Sequence, residues 1–172
     1  MKKVLFVFAI AILSFGAVNA QEAASGGFHF GGGLRLGLAM GDFEASHGLG
    51  IGVELQGEYM FSDMVSGTIT SGYTSFMGKE IDIMGTSYKY DAMGYIPILA
   101  GVRVYPSSNF FIGAKVGYGL LTGGGESSGA FNYEPQIGYN GTKIQVALGY
   151  NGLSKDVSSL SHLGLSAIYK FN

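Results

Sequence analysis

The chain has 172 residues, of which 47% are hydrophobic and only 13% charged, with 30 glycines, no cysteine and a net charge of −2. Without cysteine there can be no disulfide framework and no thiolate metal centre, and the mildly acidic balance gives nucleic-acid phosphates nothing to hold. Charged residues fall well below the ~25% of an ordinary soluble domain.

The first element is a leader. Lys2 and Lys3 precede an apolar run from Val4 to about Phe15, and Ala17-Val18-Asn19-Ala20 then supplies small residues before a cut. This is the three-part layout of a secretory signal, and the run is shorter than the ~20 residues that span a bilayer as a helix. Residues 1–20 are read as a Sec signal peptide and residues 21–172 as a single domain with eight basic and twelve acidic side chains. No long apolar run follows the leader, so a bundle of membrane-spanning helices is excluded.

From Phe28 onward the apolar residues alternate with small or polar ones, the period-two pattern of strands with two unlike faces. Phe28, Phe30, Leu34, Leu36, Leu38 and Met40 oppose His29, Gly31, Gly33, Arg35 and Gly37. Leu49, Ile51, Val53, Leu55 and Tyr59 oppose Gly50, Gly52, Glu54, Gln56 and Glu58. The third segment, from Val65 to Met77, is the weakest, because Ser71 and Ser75 interrupt its apolar face. Ile96, Ile98, Ala100, Val102 and Val104 then oppose Gly101 and Arg103, and the next segment sets Phe110, Ile112, Ala114, Val116 and Tyr118 against Gly113, Lys115 and Gly117. Three more follow: Phe131 to Tyr139 with Asn132, Glu134 and Gln136 opposed, Ile144 to Tyr150 with Gln145 opposed, and Leu163 to Phe171 with His162 and Lys170 opposed.

Eight such segments predict an all-β fold, an eight-stranded antiparallel up-and-down barrel. A soluble barrel alternates in the same way with its apolar face inward. Three features favour lipid outside: strands of the length a tilted strand needs to cross a bilayer, a second face too glycine-rich to be a solvated surface, and connections that alternate in length. Tight turns are expected at Ser62-Asp63-Met64, Pro106-Ser107-Ser108 and Asn140-Gly141-Thr142, and longer loops at 41–47, 78–93, 123–129 and 152–161. Short periplasmic turns and longer extracellular loops are the outer-membrane arrangement. Aromatics complete it with two interface girdles. One comprises Phe28, Phe30, Tyr59, Phe61, Tyr105, Phe110, Phe111, Tyr139, Tyr169 and Phe171, and the other Tyr73, Phe76, Tyr95, Tyr118, Phe131, Tyr133 and Tyr150.

The hairpin from Tyr95 to Tyr105 and from Asn109 to Gly119, with the closing strand that carries Tyr169 and Phe171, resembles the small outer-membrane β-barrel family, the porin-like eight-stranded group of outer-membrane proteins A and X. The resemblance implies residence in the cell outer membrane among its lipids and handling by the barrel-assembly machinery, which reads a terminal strand ending in Phe. Here Asn172 follows Phe171. Members of this group differ widely in activity, so the resemblance speaks for architecture.

Eight strands leave an interior that side chains fill. Arg35, Arg103, Lys115 and Lys170 face inward with Glu54, Glu58 and Glu134, a nearly balanced charge network read as a salt-bridged core, with a low-conductance pore as the alternative. His29, His47 and His162 are spread along the chain and predict no metal site, and no cofactor is expected. His162 with Ser159 or Ser161 has the residue types of a lipid A-modifying enzyme but no nucleophile motif. The 78–93 connection is the surface most suited to binding, with Lys79, Glu80, Asp82, Tyr88, Lys89, Tyr90 and Asp91. The sequence therefore reads as a non-enzymatic barrel with a structural or surface-interaction role, whose partner would be an extracellular protein or ligand and not nucleic acid.

Overall fold

The computed structural model describes residues 27–83, 86–124, 126–155 and 158–171. The expected leader at 1–20 lies outside the described residues. In chain order the strands are β1 (Phe28–Met40), β2 (His47–Ser62), β3 (Val65–Gly78), β4 (Glu80–Ile83), β5 (Thr86–Lys89), β6 (Met93–Val104), β7 (Phe110–Gly123), β8 (Glu126–Asn140), β9 (Ile144–Lys155) and β10 (Ser158–Lys170). Eight of them close into an antiparallel barrel, β1-β2-β3-β6-β7-β8-β9-β10, with β10 paired back onto β1. β4 and β5 form a separate two-stranded ribbon at one end of the barrel.

The register keeps like faces together around the wall. Leu34 lies between Val53 and Ala167, and Leu36 between Ile51 and Leu165, so the outward rows are continuous and apolar. Val65, Ile69, Tyr73 and Met77 of β3 join that surface, while Ser66, Thr68, Thr70 and Thr74 point inward. Closure satisfies the backbone ladder on both edges of every barrel strand, which an open sheet could not do in lipid.

Strand length is the main departure from the sequence pattern. The connections expected at 123–129 and 152–161 are almost wholly strand, because β7 pairs with β8 out to Gly123↔Glu126 and β9 with β10 out to Lys155↔Ser158. Side-chain alternation fades there while the backbone ladder continues, because Glu126-Ser127-Ser128-Gly129 and Ser158-Ser159 give neither face an apolar row. The 78–93 connection contains the β4–β5 ribbon, and 41–47 contains a 3-10 turn, Gly41–Ala45, before His47 opens β2.

Closure depends on glycine at the seam. A Cβ on Gly33 would lie 1.8 Å from the carbonyl oxygen of Ala167 across the β1–β10 pair, where backbone rather than a flexible side chain must give way. Gly33→Ala should therefore cost stability at the upper end of the ~1–3 kcal/mol seen for overpacking, read as a lower urea midpoint for the folded barrel.

Candidate functional site

Side chains fill the barrel interior at three levels. At mid-height Arg35 donates from Nη1 to Glu54 and from Nη2 to Glu134 at 3.0 Å, while Lys115 Nζ lies 3.1 Å from Glu134 and 3.6 Å from Glu54. Ser166 adds a hydroxyl donor to Glu54 at 2.8 Å. Two cations thus face two carboxylates, the condition under which buried charge is tolerated.

Nearer the end that carries the tight turns, Arg103 is 0% exposed. Its guanidinium donates to Glu58 at 3.0 Å, Gln145 at 3.1 Å and Gln56 at 2.7 Å, and stands 4.3 Å over the Phe111 ring. Ser66 and Tyr105 donate their hydroxyls to the same Glu58 carboxylate. The expected network of seven charges is therefore two neutral clusters, and Lys170 joins neither. It sits at the turn end and donates to Asn140 Oδ1 at 3.0 Å.

The third level, at the ribbon end, is an aromatic plug. Phe43 folds in from the 3-10 turn and packs on Phe76 at 5.0 Å between ring centroids, and His162 packs on Phe76 at 5.0 Å and on Tyr95 at 5.1 Å. Leu121, Ala130 and Leu153 close around these rings. Four residues placed in the aromatic girdles by sequence, Phe76, Tyr95, Tyr105 and Phe111, in fact point inward and are buried. The pleat decides this: Phe110 is exposed, so its neighbour Phe111 cannot be, and Tyr95 and Tyr105 fall in step with Arg103. The other girdle positions with large exposure include Tyr59, Phe110, Tyr139 and Tyr169 at the turn end and Tyr73, Tyr118 and Phe131 nearer the ribbon.

The plug also decides the histidines. His162 is 1% exposed, and Ser161 turns its hydroxyl to the Met40 carbonyl rather than to the imidazole. The Ser159 side chain lies outside the described residues. His47 is not a loop residue: it is buried, its Nε2 donates to the Asp91 carbonyl at 3.1 Å, and its Nδ1 accepts from the Ser46 hydroxyl at 2.8 Å. His29 stands at the opposite end of β1, beside Glu58 in register.

Above the plug, the ribbon is tied to the barrel rim. Lys79 N–H donates to the Ser46 carbonyl at 2.8 Å, and its ammonium lies 3.8 Å from Glu44. Tyr90 N–H donates to the Lys79 carbonyl at 3.0 Å. The ribbon pairs Glu80 with Lys89, Ile81 with Tyr88 and Asp82 with Ser87, and Ser87 donates its hydroxyl to Glu80. Tyr88 is 58% exposed and meets Tyr90 edge-on at 5.4 Å. Lys79, Glu80, Asp82, Tyr88, Lys89, Tyr90 and Asp91 thus share one small projecting element, in which Tyr90 is half-buried against His47 and Tyr88 is open.

No family model and no curated protein matches the sequence. Solved structures match by shape. Ail, the attachment invasion locus protein of Yersinia pestis, aligns with a TM-score of 0.58 at 15% identity, over 86% of this chain and 100% of Ail. Neisserial surface protein A aligns at 0.54 and 14% identity, over 86% of this chain and 98% of its own. OprG, an outer membrane protein of Pseudomonas aeruginosa, aligns at 0.50 and 12% identity, over 90% and 100%.

The chain has the fold of these small eight-stranded outer-membrane barrels. At these identities the likeness is one of fold, and this barrel's plug and ribbon are described by its own residues. Sequence reasoning missed the plug because a buried aromatic inside and an interface aromatic outside look alike in composition. Only the phase of each residue within its strand tells them apart.

Proposed function

We propose that this protein is exported with residues 1–20 as its leader, is inserted by the barrel-assembly machinery, and serves in the outer membrane as a structural and surface-interaction protein through the β4–β5 ribbon. The observation that carries this reading is the inversion of the barrel: a continuous apolar wall faces out, and ion pairs and a plug fill the inside. An apolar surface of that extent far exceeds the few hundred Å² that soluble monomers leave open. A packed interior argues against conduction, and a His162 enclosed by aromatic rings argues against lipid chemistry at that residue. What is left for recognition is the ribbon, which on this reading stands outside the cell with the tight turns in the periplasm.

The ribbon's charge gives the partner a character. At the rim and ribbon, Asp42, Glu44, Glu80, Asp82 and Asp91 stand against Lys79 and Lys89. One matched structure holds Ail in complex with the heparin analogue sucrose octasulfate. An acidic rim repels such a polyanion, so a neutral or basic protein surface is the expected partner here, engaged by Tyr88 as the open aromatic.

The test compares the barrel in lipid nanodiscs on immobilised heparin and on an immobilised basic protein such as lysozyme. Binding is expected to the basic surface and not to heparin. Tyr88→Ala should weaken it about tenfold, the equivalent of ~1.4 kcal/mol, with the heat-modifiable gel mobility of the folded barrel unchanged. Comparable binding to heparin, or full binding after replacement of residues 80–89 by a glycine-serine link, would remove the ribbon from the function.

A further inference from the structure

Between the mid-height ion cluster and the aromatic plug, three buried polar atoms have no hydrogen-bond partner among the described residues: Asn132 Oδ1, Asn151 Nδ2 and His162 Nε2. The three residues are 0%, 0% and 1% exposed. They belong to one place. The Tyr95 hydroxyl accepts from Asn132 Nδ2 and donates to Asn151 Oδ1 at 3.3 Å. His162 is the register partner of Asn151 across β9 and β10, and its ring stands 5.1 Å from the Tyr95 ring.

Buried polar groups in folded proteins are bonded, to protein or to ordered water, in the great majority of cases. The wall beside these three is short of a donor as well. The β8–β9 pairs stop at Tyr133↔Gly152 and resume at Gln136↔Gly149, which leaves out Asn151 opposite Glu134 and Tyr150 opposite Pro135. Pro135 has no N–H to give the ladder there.

The free atoms select the ligand. A tyrosine hydroxyl has one proton to give, so Tyr95 bonds one amide as donor and the other as acceptor. Turning both amides over keeps that pattern and again leaves one free amide donor and one free carbonyl acceptor. The imidazole Nε2 serves as either, according to its tautomer. A cation would meet the free donor and an anion the free acceptor, so neither suits the set. Water offers donors and acceptors together and can serve all three atoms. Leu121, Ala130 and Leu153 close around the rings above, which excludes a larger guest.

We infer that Asn132, Asn151 and His162 are the binding site of one buried structural water. It ties His162 of the plug to β8 and β9 beside the break in their ladder. The ion cluster on one side and the aromatic rings on the other enclose it, so it is long-lived and forms no path through the barrel. The site is internal and stands whatever meets the outer wall.

The experiment is water-selective NMR of the isotope-labelled barrel in lipid nanodiscs, read at the asparagine side-chain amides. The wild type should show a cross-peak from a long-lived water to the carboxamide protons of Asn132 or Asn151. Tyr95→Phe, which removes the one exchanging hydroxyl bonded to both amides, should retain it. Asn151→Leu combined with His162→Phe leaves one of the three atoms and should abolish the cross-peak at Asn132. Heat-modifiable mobility shows which variants are folded, and if the paired variant is not, the wild type and Tyr95→Phe decide. A folded wild type without the cross-peak, its loss in folded Tyr95→Phe, or its persistence at Asn132 in the folded paired variant would overturn the site.

Discussion

Arg103→Leu should lower the unfolding free energy by about 3–5 kcal/mol, the range for stripping one partner from a buried ion pair. The substitution leaves the Glu58 carboxylate in a closed interior, held only by the Ser66 and Tyr105 hydroxyls. It also empties the space over the Phe111 ring and takes one donor from each of the Gln56 and Gln145 amide oxygens, which then accept only from each other. Most of the loss is the cost of the stranded charge rather than the value of the pair, and this has its own signature. Arg103→Leu combined with Glu58→Gln should be more stable than Arg103→Leu alone, because the second change removes the uncompensated carboxylate. Urea unfolding of the four proteins in lipid vesicles, read as a double-mutant cycle, checks it. A double variant as unstable as the sum of the two single changes would mean that the two residues do not act as a pair.

Leu34→Arg is the second large expectation, and its size depends on what surrounds the wall. Leu34 is 65% exposed in β1. In a soluble barrel a charge at so open a position would change stability by no more than about 0.5 kcal/mol. Near the middle of a lipid-facing wall it should cost about 2–4 kcal/mol. The same urea experiment measures it, with Tyr88→Ala in the ribbon as a surface control that should be silent. A neutral Leu34→Arg would place water, not lipid, against the apolar rows.

How far the sequence went can be read from single strands. Arg103 sits inside because Val102 and Val104 sit outside, and the same rule places Glu54 between Val53 and Leu55 and Lys115 between Ala114 and Val116. Strand number, order and phase come from that rule, and the antiparallel neighbours come from the tight turns. β3 was the hardest to read because its outward face includes Ser71 and Ser75, yet its inward threonines keep the phase. What was illegible has a common cause: the pattern reports the faces of a strand and not where the strand ends or what meets across the interior. The outward extension of β7 to β10 and the β4–β5 ribbon lie where neither face must be apolar, so the backbone pairs without leaving a period. The split of the seven charges into two clusters is equally invisible along the chain, since Arg35 and Glu134 are 99 residues apart.

The grouping of those charges bears on the order in which the wall is built. Arg35 and Glu54 come from adjacent strands, β1 and β2, and Lys115 and Glu134 are register partners on β7 and β8. Arg103 and Glu58 belong to β6 and β2, which are separated only by β3. The β1–β2 and β7–β8 hairpins therefore each hold an internal ion pair, Arg103 of β6 needs Glu58 of β2, and the interior charges of the four-strand half β1-β2-β3-β6 sum to zero. In the second half the surplus charge is Lys170, placed at the very rim, where it can stay wetted until the last seam closes. The 3.0 Å bond from Arg35 to Glu134 and the 3.6 Å approach of Lys115 to Glu54 then act as the latch between two prepaired halves. A chain partitioned in this way can close from two halves with only the rim lysine, Lys170, left outside an interior ion pair.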